Sequence, residues 1–77
     1  MSITVKFFAS LRETIGKANV NLDADNIATA ADVWRIASGN HEPVDNMLIA
    51  INMEYANLGE TVKDGDEVAF FPPVTGG

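Results

Sequence analysis

Hydrophobic and polar residues alternate along two neighbouring stretches near the start of the chain. The first stretch places Ile3, Val5 and Phe7 on one side of an extended segment, and this period of two is typical of a β-strand. Residues 18–22 alternate in the same way after Gly16, which has the properties of a turn residue. The two stretches therefore predict an antiparallel β-hairpin.

One stretch of the chain has helical periodicity. Its apolar positions recur at the spacing of one helix face and are Ala30, Val33, Trp34 and Ala37. Thr29 stands before them, and Asp32 follows it by three residues, which resembles a capping box. Gly39 is placed to end the helix. We therefore predict one main helix that begins after Thr29.

The second half of the chain is predicted to return to strands. Residues 47–53 form a near-continuous apolar run of strand length, which favours burial on both faces. Residues 54–62 are predicted to contain a turn and an extra short strand, and a tight turn is expected around Gly65. Residues 67–71 alternate as the last strand. One helix on one face of a small sheet is an α+β arrangement.

The composition fits a single small domain. A chain of 77 residues is too short to form two cores, so residues 1–77 are expected to form one domain. The absence of cysteine excludes disulfides, thiol catalysis and cysteine-based metal sites. The first residues lack the pattern of a signal peptide, and no run approaches the roughly 20 apolar residues of a membrane span. We expect a cytoplasmic protein that does not bind a membrane.

The charge balance is acidic. Eleven acidic residues against five basic ones give a formal charge of −6, which argues against a nucleic-acid partner because phosphate binding needs clustered Lys and Arg. The excess charge either keeps a small protein soluble or steers it toward a basic partner. Charge alone does not separate these two interpretations.

Residues that could catalyse a reaction or bind a metal are few. His41 is the only histidine, and it stands in a polar stretch without further ligands, so no transition-metal site is predicted. Ser10 and Ser38 lack a base at the spacing of a hydrolase motif. Asp64 and Asp66 flank a glycine without the other ligands of a calcium loop, and a turn explains them. We expect no stably bound cofactor.

Two aromatic side chains are predicted to face away from the helix. If the helix packs on the side of Phe7, then Phe8 and Phe71 end their strands on the opposite side. Aromatic residues are enriched in binding hot spots, so the pair is a candidate docking surface; the alternative is that each ring tucks under a loop. Tyr55 and Arg12 are candidates for the same surface, although Arg12 taken alone is better explained as an ordinary solvated or locally paired arginine.

The chain ends in FFPPVTGG, two glycines after a segment stiffened by Pro72 and Pro73. The two prolines restrict the start of the tail and so reduce the entropy that is lost when the tail becomes ordered. In an extended conformation, residues 73–77 can reach roughly 13–14 Å. Because Gly76 and Gly77 lack Cβ atoms, they can pass through a narrow channel. A carboxylate is unreactive until it is activated, for instance as an acyl-adenylate. Attack by sulfur would then leave a thiocarboxylate, and attack by an amine would leave an amide.

Three stretches resemble one known family. They are KFFASLRE at 6–13, AIN at 50–52 and DGDEVAFFPPVTGG at 64–77, and they resemble the small, sulfur-carrier subunit of molybdopterin synthase. Residues 17–46 agree with that family in their pattern of hydrophobic and polar positions but not in residue identity. The resemblance implies a ubiquitin-like β-grasp fold, with a small mixed sheet packed on one main helix and a Gly-Gly tail at 72–77.

The resemblance also implies a reaction at the end of the chain. An E1-like adenylyltransferase would use ATP to activate Gly77 as a transient acyl-adenylate, and a sulfur donor would convert it to a thiocarboxylate. The carrier would then insert Gly76 and Gly77 into the large synthase subunit, in an expected heterotetramer. There the sulfur passes to cyclic pyranopterin monophosphate in molybdenum cofactor biosynthesis. The catalytic side chains of this family lie on the large subunit, so this chain is expected to act as a non-catalytic sulfur donor.

The family's partner-binding positions include the candidate surface. The resemblance assigns this role to Phe8, Arg12, Tyr55, Phe71, Pro72, Pro73, Val74 and Thr75. Tyr55 stands where the family leads us to expect an aliphatic residue. Three alternatives stay open: a thiamine-pathway sulfur carrier, a ubiquitin-like modifier that forms amide bonds with lysines, and an interaction domain with an inert terminus.

Overall fold

The computed structural model describes residues 2–73. Its elements are β1 (Ser2–Phe7), α1 (Ser10–Ile15), β2 (Asn19–Asp23), α2 (Ala30–Ala37), β3 (Leu48–Ile51), β4 (Glu54–Ala56) and β5 (Glu67–Phe71). The five strands form one sheet in the order β2-β1-β5-β3-β4. The central pair β1 and β5 is parallel and the other pairs are antiparallel. The predicted α+β class and mixed sheet are therefore confirmed.

The predicted hairpin is present, but its connection contains a helix that the sequence did not reveal. Strands β1 and β2 pair antiparallel, with Val5 opposite Val20. Between them lies α1, which buries Leu11 in the core. A helix of six residues covers fewer than two turns of about 3.6 residues each, so its apolar spacing does not repeat often enough to be recognised. Gly16 ends α1 with φ 81° and donates its N–H to the carbonyl of Arg12, so the predicted turn residue serves as a helix cap.

Helix α2 begins and ends where the sequence predicts. The hydroxyl of Thr29 accepts a hydrogen bond from the N–H of Asp32 at 3.4 Å, and the Asp32 carboxylate accepts one from the Thr29 N–H at 3.1 Å. This is the complete capping box. Trp34 is buried on the inner face of α2, and its Nε1 donates to the carbonyl of His41 at 2.7 Å. That bond satisfies the only polar atom of the ring and ties the following loop to the helix.

The core lies between α2 and one face of the sheet. Three aromatic rings meet there: Trp34 lies edge-on to Phe7 at 5.9 Å and to Phe70 at 5.0 Å between ring centroids. Around them lie the other apolar residues of the strands and helices that are at most 1% exposed, Ile3, Val5, Leu11, Ala30, Val33, Ala37 and Val68. The predicted inner side of β1 and the predicted apolar face of α2 therefore pack together.

The apolar run 47–53 forms β3 and the loop that follows it. Ile49 and Ala50 point to opposite faces and are both buried, as predicted for the run. At the end of the run the prediction was wrong, because Met53 lies in the loop between β3 and β4 and is 91% exposed. Asn52 and Met53 form this two-residue loop with φ values of 51° and 69°. Positive φ at both positions is the requirement of a type I′ turn.

The turn predicted around Gly65 is confirmed. Gly65 has φ 90°, and the N–H of Asp66 donates to the carbonyl of Lys63. The Asp66 carboxylate accepts from the Lys63 N–H at 2.8 Å and from Nδ2 of Asn52 at 2.9 Å. These two bonds, the first above all, hold the pKa of Asp66 below its ordinary value. Because Oδ1 of Asn52 also accepts from the Glu67 N–H, this turn and the β3–β4 hairpin hold each other in place.

Candidate functional site

The face of the sheet turned away from α2, called the outer face below, carries the candidate docking residues. Side chains of directly paired residues point to the same face of a sheet. The register therefore places two rows on the outer face: Phe8, Phe71 and Leu48 in the first, and Lys6, Ala69, Ala50 and Tyr55 in the second. The first row lies at the end of the sheet where β5 finishes.

Phe8 and Phe71 stack on each other. Their ring centroids are 4.7 Å apart and their planes are within 6° of parallel. Phe8 is 38% exposed and Phe71 is half-buried, so the prediction that both rings face away from the helix is confirmed. The N–H of Phe8 donates to the carbonyl of Phe70, which extends the pairing of β1 with β5 by one residue. The rings shield each other and still present an apolar surface to solvent.

A sharp turn at Ala9 separates the stack from the core. Ala9 has φ 52° and ψ −130°, a conformation that strongly favours glycine and costs an alanine on the order of 1–3 kcal/mol. The N–H of Leu11 donates to the carbonyl of Phe8 across this turn. As a result Leu11 enters the core while Phe8, three residues earlier, stays on the outer face. The strained turn thus has a definite result, the placement of an aromatic ring on the surface.

Arg12 follows this turn on α1. Its backbone N–H donates to the carbonyl of Ala9, and the residue is exposed. Within residues 2–73 its guanidinium takes part in no ion pair. The structure therefore places Arg12 on the helix that follows Phe8, with its charge directed to solvent.

Tyr55 lies on the outer face but apart from the stack. It is 80% exposed and pairs with Ala50, one strand away from Ala69. Two strand spacings, roughly 10 Å, separate Tyr55 from β5. The intervening alanines are buried to within 8% exposure because their small side chains lie low between larger neighbours. The outer face thus carries Tyr55 on one side and the Phe8–Phe71 stack on the other, with the small alanine side chains between them.

Sequence reasoning missed Leu48, which completes the first row. Leu48 pairs with Phe71 and is half-buried beside it. The near-continuous apolar run 47–53 hides the alternation, because its alternate positions divide between the core and the outer face. If the pairing of β3 with β5 were known, the alternation along β3 would assign Leu48 to the outer face.

One ion pair lies on the outer face, between β1 and β5. Nζ of Lys6 lies 3.6 Å from Oε2 of Glu67, and both side chains are more than one-third exposed. An exposed pair of this kind contributes at most about 1 kcal/mol. Its main effect is to leave the centre of the outer face with little net charge, next to the apolar first row.

The last strand connects this face to the tail. Pro72 and Pro73 directly follow Phe71, and both are half-buried. The predicted site residues Val74, Thr75, Gly76 and Gly77 lie outside the described residues. Because Phe71 belongs to both the stack and β5, any protein that binds the stack is positioned beside the start of the tail.

Residues 2–73 contain neither a cluster of metal ligands nor a membrane-spanning helix. No group of three or more His, Cys, Asp or Glu side chains is placed to hold a metal ion. Neither α1 nor α2 is long and apolar enough to cross a membrane.

Comparison with known proteins extends these observations. The sequence profile of the ThiS family matches residues 5–77. The molybdopterin synthase sulfur carrier subunit of Haemophilus influenzae is 39% identical over 84 aligned positions, which cover 97% of this chain and 99% of that protein. Small archaeal modifier protein 1 of Haloferax volcanii is 38% identical, with 94% of this chain and 97% of that protein covered.

Solved structures agree with the fold. The crystal structure of SAMP1 from Haloferax volcanii matches with a TM-score of 0.81 and 37% identity, covering 100% of both chains. A chain in the complex of subunits 1 and 2 of molybdopterin-converting factor from Helicobacter pylori matches with a TM-score of 0.65 and 30% identity, again over 100% of both chains. The expected ubiquitin-like β-grasp fold is confirmed. Because the family profile covers nearly the whole chain and these relatives align from end to end, the chain belongs to the ThiS family.

Proposed function

We propose that this protein is the sulfur-carrier subunit of a molybdopterin synthase. The observation that carries the proposal is the continuity of the Phe8–Phe71 stack with the strand that leads into the Gly-Gly tail. This arrangement occurs in a chain that is 39% identical, almost from end to end, to a protein named as a molybdopterin synthase sulfur carrier subunit. A docking face joined directly to a reactive terminus is the arrangement that a carrier needs.

The proposed chemistry takes place at Gly77. Its carboxylate oxygen attacks the α-phosphate of ATP on an E1-like adenylyltransferase, a P–O bond forms, and pyrophosphate leaves. A donor then supplies sulfur at the oxidation level of hydrosulfide. The sulfur attacks the carbonyl carbon and AMP leaves, so that the terminus becomes a thiocarboxylate. In the large subunit this sulfur attacks a carbon of cyclic pyranopterin monophosphate, so that a C–S bond forms as a C–O bond of the pterin breaks. Water then cleaves the bond between the Gly77 carbonyl carbon and the sulfur, which leaves the sulfur on the pterin and restores the carboxylate.

The side chains of this protein position the tail rather than act on the substrate. Phe8 and Phe71 offer an apolar surface that loses water on docking, and such aromatic anchors dominate binding energy at interfaces. Pro72 and Pro73 limit the freedom of the tail at its base. From Pro73 the last residues reach roughly 13–14 Å into a partner, which leaves the folded body outside the channel.

The partners follow from the same chemistry. A complex of two subunits is named for the Helicobacter pylori relative, which supports a large-subunit partner here, and we expect a heterotetramer. ATP is used by the activating enzyme, so this chain carries nucleotide only as a transient adenylate and holds no stable cofactor. The reaction is expected to take place in the cytoplasm.

Intact-mass spectrometry tests the proposal. The protein is incubated with its adenylyltransferase, ATP and a sulfur donor, and we expect the mass change of one oxygen replaced by one sulfur at Gly77. A matched variant with one alanine added after Gly77 should stay unchanged. An unchanged mass of the natural chain, under conditions that charge a known carrier, would sink the proposal.

A protein-modifier function is the second candidate. It is favoured by the 38% identity to small archaeal modifier protein 1. The same adenylate, attacked by a lysine amine instead of sulfur, would give an amide bond. Peptide mapping of conjugates from cells that express a tagged chain distinguishes the two, because only a modifier leaves Gly77 joined to lysine side chains. Rescue of thiamine auxotrophy in place of molybdenum cofactor synthesis would instead assign the chain to the thiamine pathway.

A further inference from the structure

A groove, called the β4 groove below, runs along strand β4. At one end is an open cavity of about 500 Å³, whose apolar lining includes Val44, Met47, Ile49, Ala56 and Leu58. At the other end is an open cavity of about 340 Å³, whose lining includes Ile51, Glu54, Ala56 and Glu60. Because Ala56 lines both cavities, the two are parts of one groove.

The strand register places the β4 groove on the side of the sheet that carries α2. Ala56 pairs with the buried Ile49, and Glu54 pairs with Ile51, which packs against the core. Directly paired residues point to the same face of a sheet, so Ala56 and Glu54 face the α2 side. The carbonyl of Glu60 accepts a hydrogen bond at 3.0 Å from the N–H of the first residue of α2. The β4 groove therefore lies on the opposite side of the sheet from the outer face.

The β4 groove combines apolar surface with acidic charge. Residues 36–62 contain no Lys or Arg, whereas four acidic residues fall in this range, Glu42, Asp45, Glu54 and Glu60. All four are exposed, and none takes part in an ion pair within residues 2–73. The larger cavity is lined by uncharged residues, and the carboxylates of Glu54 and Glu60 lie at the other end of the groove. A matching ligand therefore has an apolar group for one end and a positive charge for the other.

Strand β4 is at the edge of the sheet and has main-chain groups directed to that edge. The N–H of Asn52 donates to the carbonyl of Glu67 on β5, so the main chain of the preceding residue, Ile51, is directed to β4. Ile51 and Glu54 therefore form a hydrogen-bonded pair that closes the two-residue loop. The N–H and C=O of the next residue, Tyr55, then point away from β3. Within residues 2–73, no turn or loop hydrogen bond uses these two groups, so they are available to an added strand.

We propose that the β4 groove is a second docking site, and that its occupant is a basic segment of another protein that adds to β4 as an extended strand. The segment carries an apolar side chain and a Lys or Arg at alternate positions. Ala56 and Glu54 are two residues apart, so roughly 7 Å separates the middle of the groove from its acidic end. Side chains two residues apart in an added strand have the same spacing and point to the same side.

Each part of the β4 groove has a definite role in this docking. The main-chain groups of Tyr55 supply hydrogen bonds to any extended segment, and the larger cavity selects one with an apolar side chain. The carboxylates of Glu54 and Glu60 attract Lys or Arg and repel acidic segments. This site goes beyond the proposed function, which uses the outer face and the tail. Since the groove and the outer face lie on opposite sides of the sheet, both can be occupied at once.

Selection from a random peptide library displayed on phage tests the chemistry of the occupant. The target is the full chain with Tyr55→Ser combined with Phe71→Ala, which removes the aromatic anchors of the outer face. We expect enriched peptides to carry Lys or Arg two residues from Leu, Ile or Val. A selection that enriches no peptide, or only peptides without this pattern, would overturn the proposal.

The most enriched peptide, made synthetically, is then titrated calorimetrically against variants of the groove. Ala56→Leu fills the point where the two cavities meet and should weaken binding about 10-fold. Glu54→Gln combined with Glu60→Gln should weaken binding about 10-fold at low salt and flatten its salt dependence. Glu13→Gln combined with Asp25→Asn removes the same charge from exposed positions elsewhere and should leave the affinity unchanged.

Each outcome of these titrations decides the inference. Unchanged affinity for a folded Ala56→Leu would place the peptide outside the groove and overturn the proposal; if circular dichroism shows that this variant is unfolded, the two charge variants decide alone. Equal effects of the charge variants would overturn the assigned occupant. The peptide should bind the natural chain as tightly as the selection target. If light scattering shows a dimer for the natural chain and a monomer for Ala56→Leu, the occupant is a second copy instead.

Discussion

Two pairs of phenylalanines, adjacent in sequence, have opposite roles in this protein. Phe7 and Phe70 are at most 1% exposed and pack with Trp34 in the core. Phe8 and Phe71, the next residue in each case, stack on the outer face at 4.7 Å. Both pairs join β1 to β5, and both consist of the same residue type. They differ only in which side of the sheet they face.

In this small sheet, residues that stabilise the fold and residues that can bind a partner lie on opposite faces. Because successive side chains on a strand point to opposite faces, a doubled aromatic at a strand end supplies one ring to the core and one to the surface. The inner ring gains burial from helix α2, whereas the outer ring keeps apolar area for a partner. A mutation on one side should therefore affect folding, and the neighbouring mutation should affect binding.

The largest expected effect is on the inner pair. Phe70→Ala should lower the free energy of unfolding by about 3–5 kcal/mol, because it leaves a cavity next to Trp34 in a fully packed core. Urea denaturation followed by Trp fluorescence measures this loss. Phe71→Ala is the matched control and should lose no more than about 1 kcal/mol. Equal losses for the two variants would contradict the division between the faces.

The outer pair should show the reverse pattern. Phe71→Ala is expected to weaken binding to the large subunit by about 2 kcal/mol, roughly 30-fold, because it removes an anchor ring and exposes its stacked neighbour. Phe8→Ala should behave similarly, and the double variant should lose less than the sum because the two rings contact each other. Calorimetric titration gives the affinities. Severe unfolding of Phe71→Ala would show that this ring belongs to the core after all.

A smaller effect on stability alone is expected at the start of α2. Thr29→Ala removes the hydroxyl that caps the helix and should lower the free energy of unfolding by about 1 kcal/mol. Since α2 lies on the inner side of the sheet, affinity for the large subunit should not change. Thr29→Ser keeps the cap and serves as the control, and a loss of binding in Thr29→Ala would imply that the two faces are coupled.

The smallest effect concerns acid sensitivity. The hydrogen bond from the Lys63 N–H, followed by that from Asn52, lowers the pKa of Asp66 in the folded protein. The ionised form is therefore favoured by folding, so its contribution is present above the unfolded pKa of about 3.9 and is lost as the pH falls through the lower folded value. Urea midpoints between pH 7 and acid pH should fall less steeply for Asp66→Asn than for the natural chain. Parallel curves would show that Asp66 contributes no pH dependence.

Much of this fold was accessible from local patterns. The alternation in β1 and β5 assigned Phe8 and Phe71 to the face opposite Phe7 and Phe70, and the capping box marked the start of α2. These features depend on residues within a few positions of one another, so periodicity and hydrogen-bonding propensity suffice to predict them. The chemistry of the tail was predicted from its likeness to one family, and it stays a prediction.

Other features required contacts between distant parts of the chain. Helix α1 is stabilised by the burial of Leu11 and is too short for its period to be recognised, and Ala9 takes a conformation for which alanine gives no signal. Met53 belongs to an apolar run, and only the hairpin register shows that it leaves the sheet.

The sequence by itself determined which residues of β1 and β5 face each side of the sheet, and where α2 begins. Tertiary structure decided which of those residues meet: Phe8 with Phe71, Leu48 beside them, and Tyr55 roughly 10 Å away across the sheet. The reason is physical. The face to which a side chain points depends on the geometry of a single strand. Which residues contact each other depends on strand order and register, and these are set by the packing of the whole core.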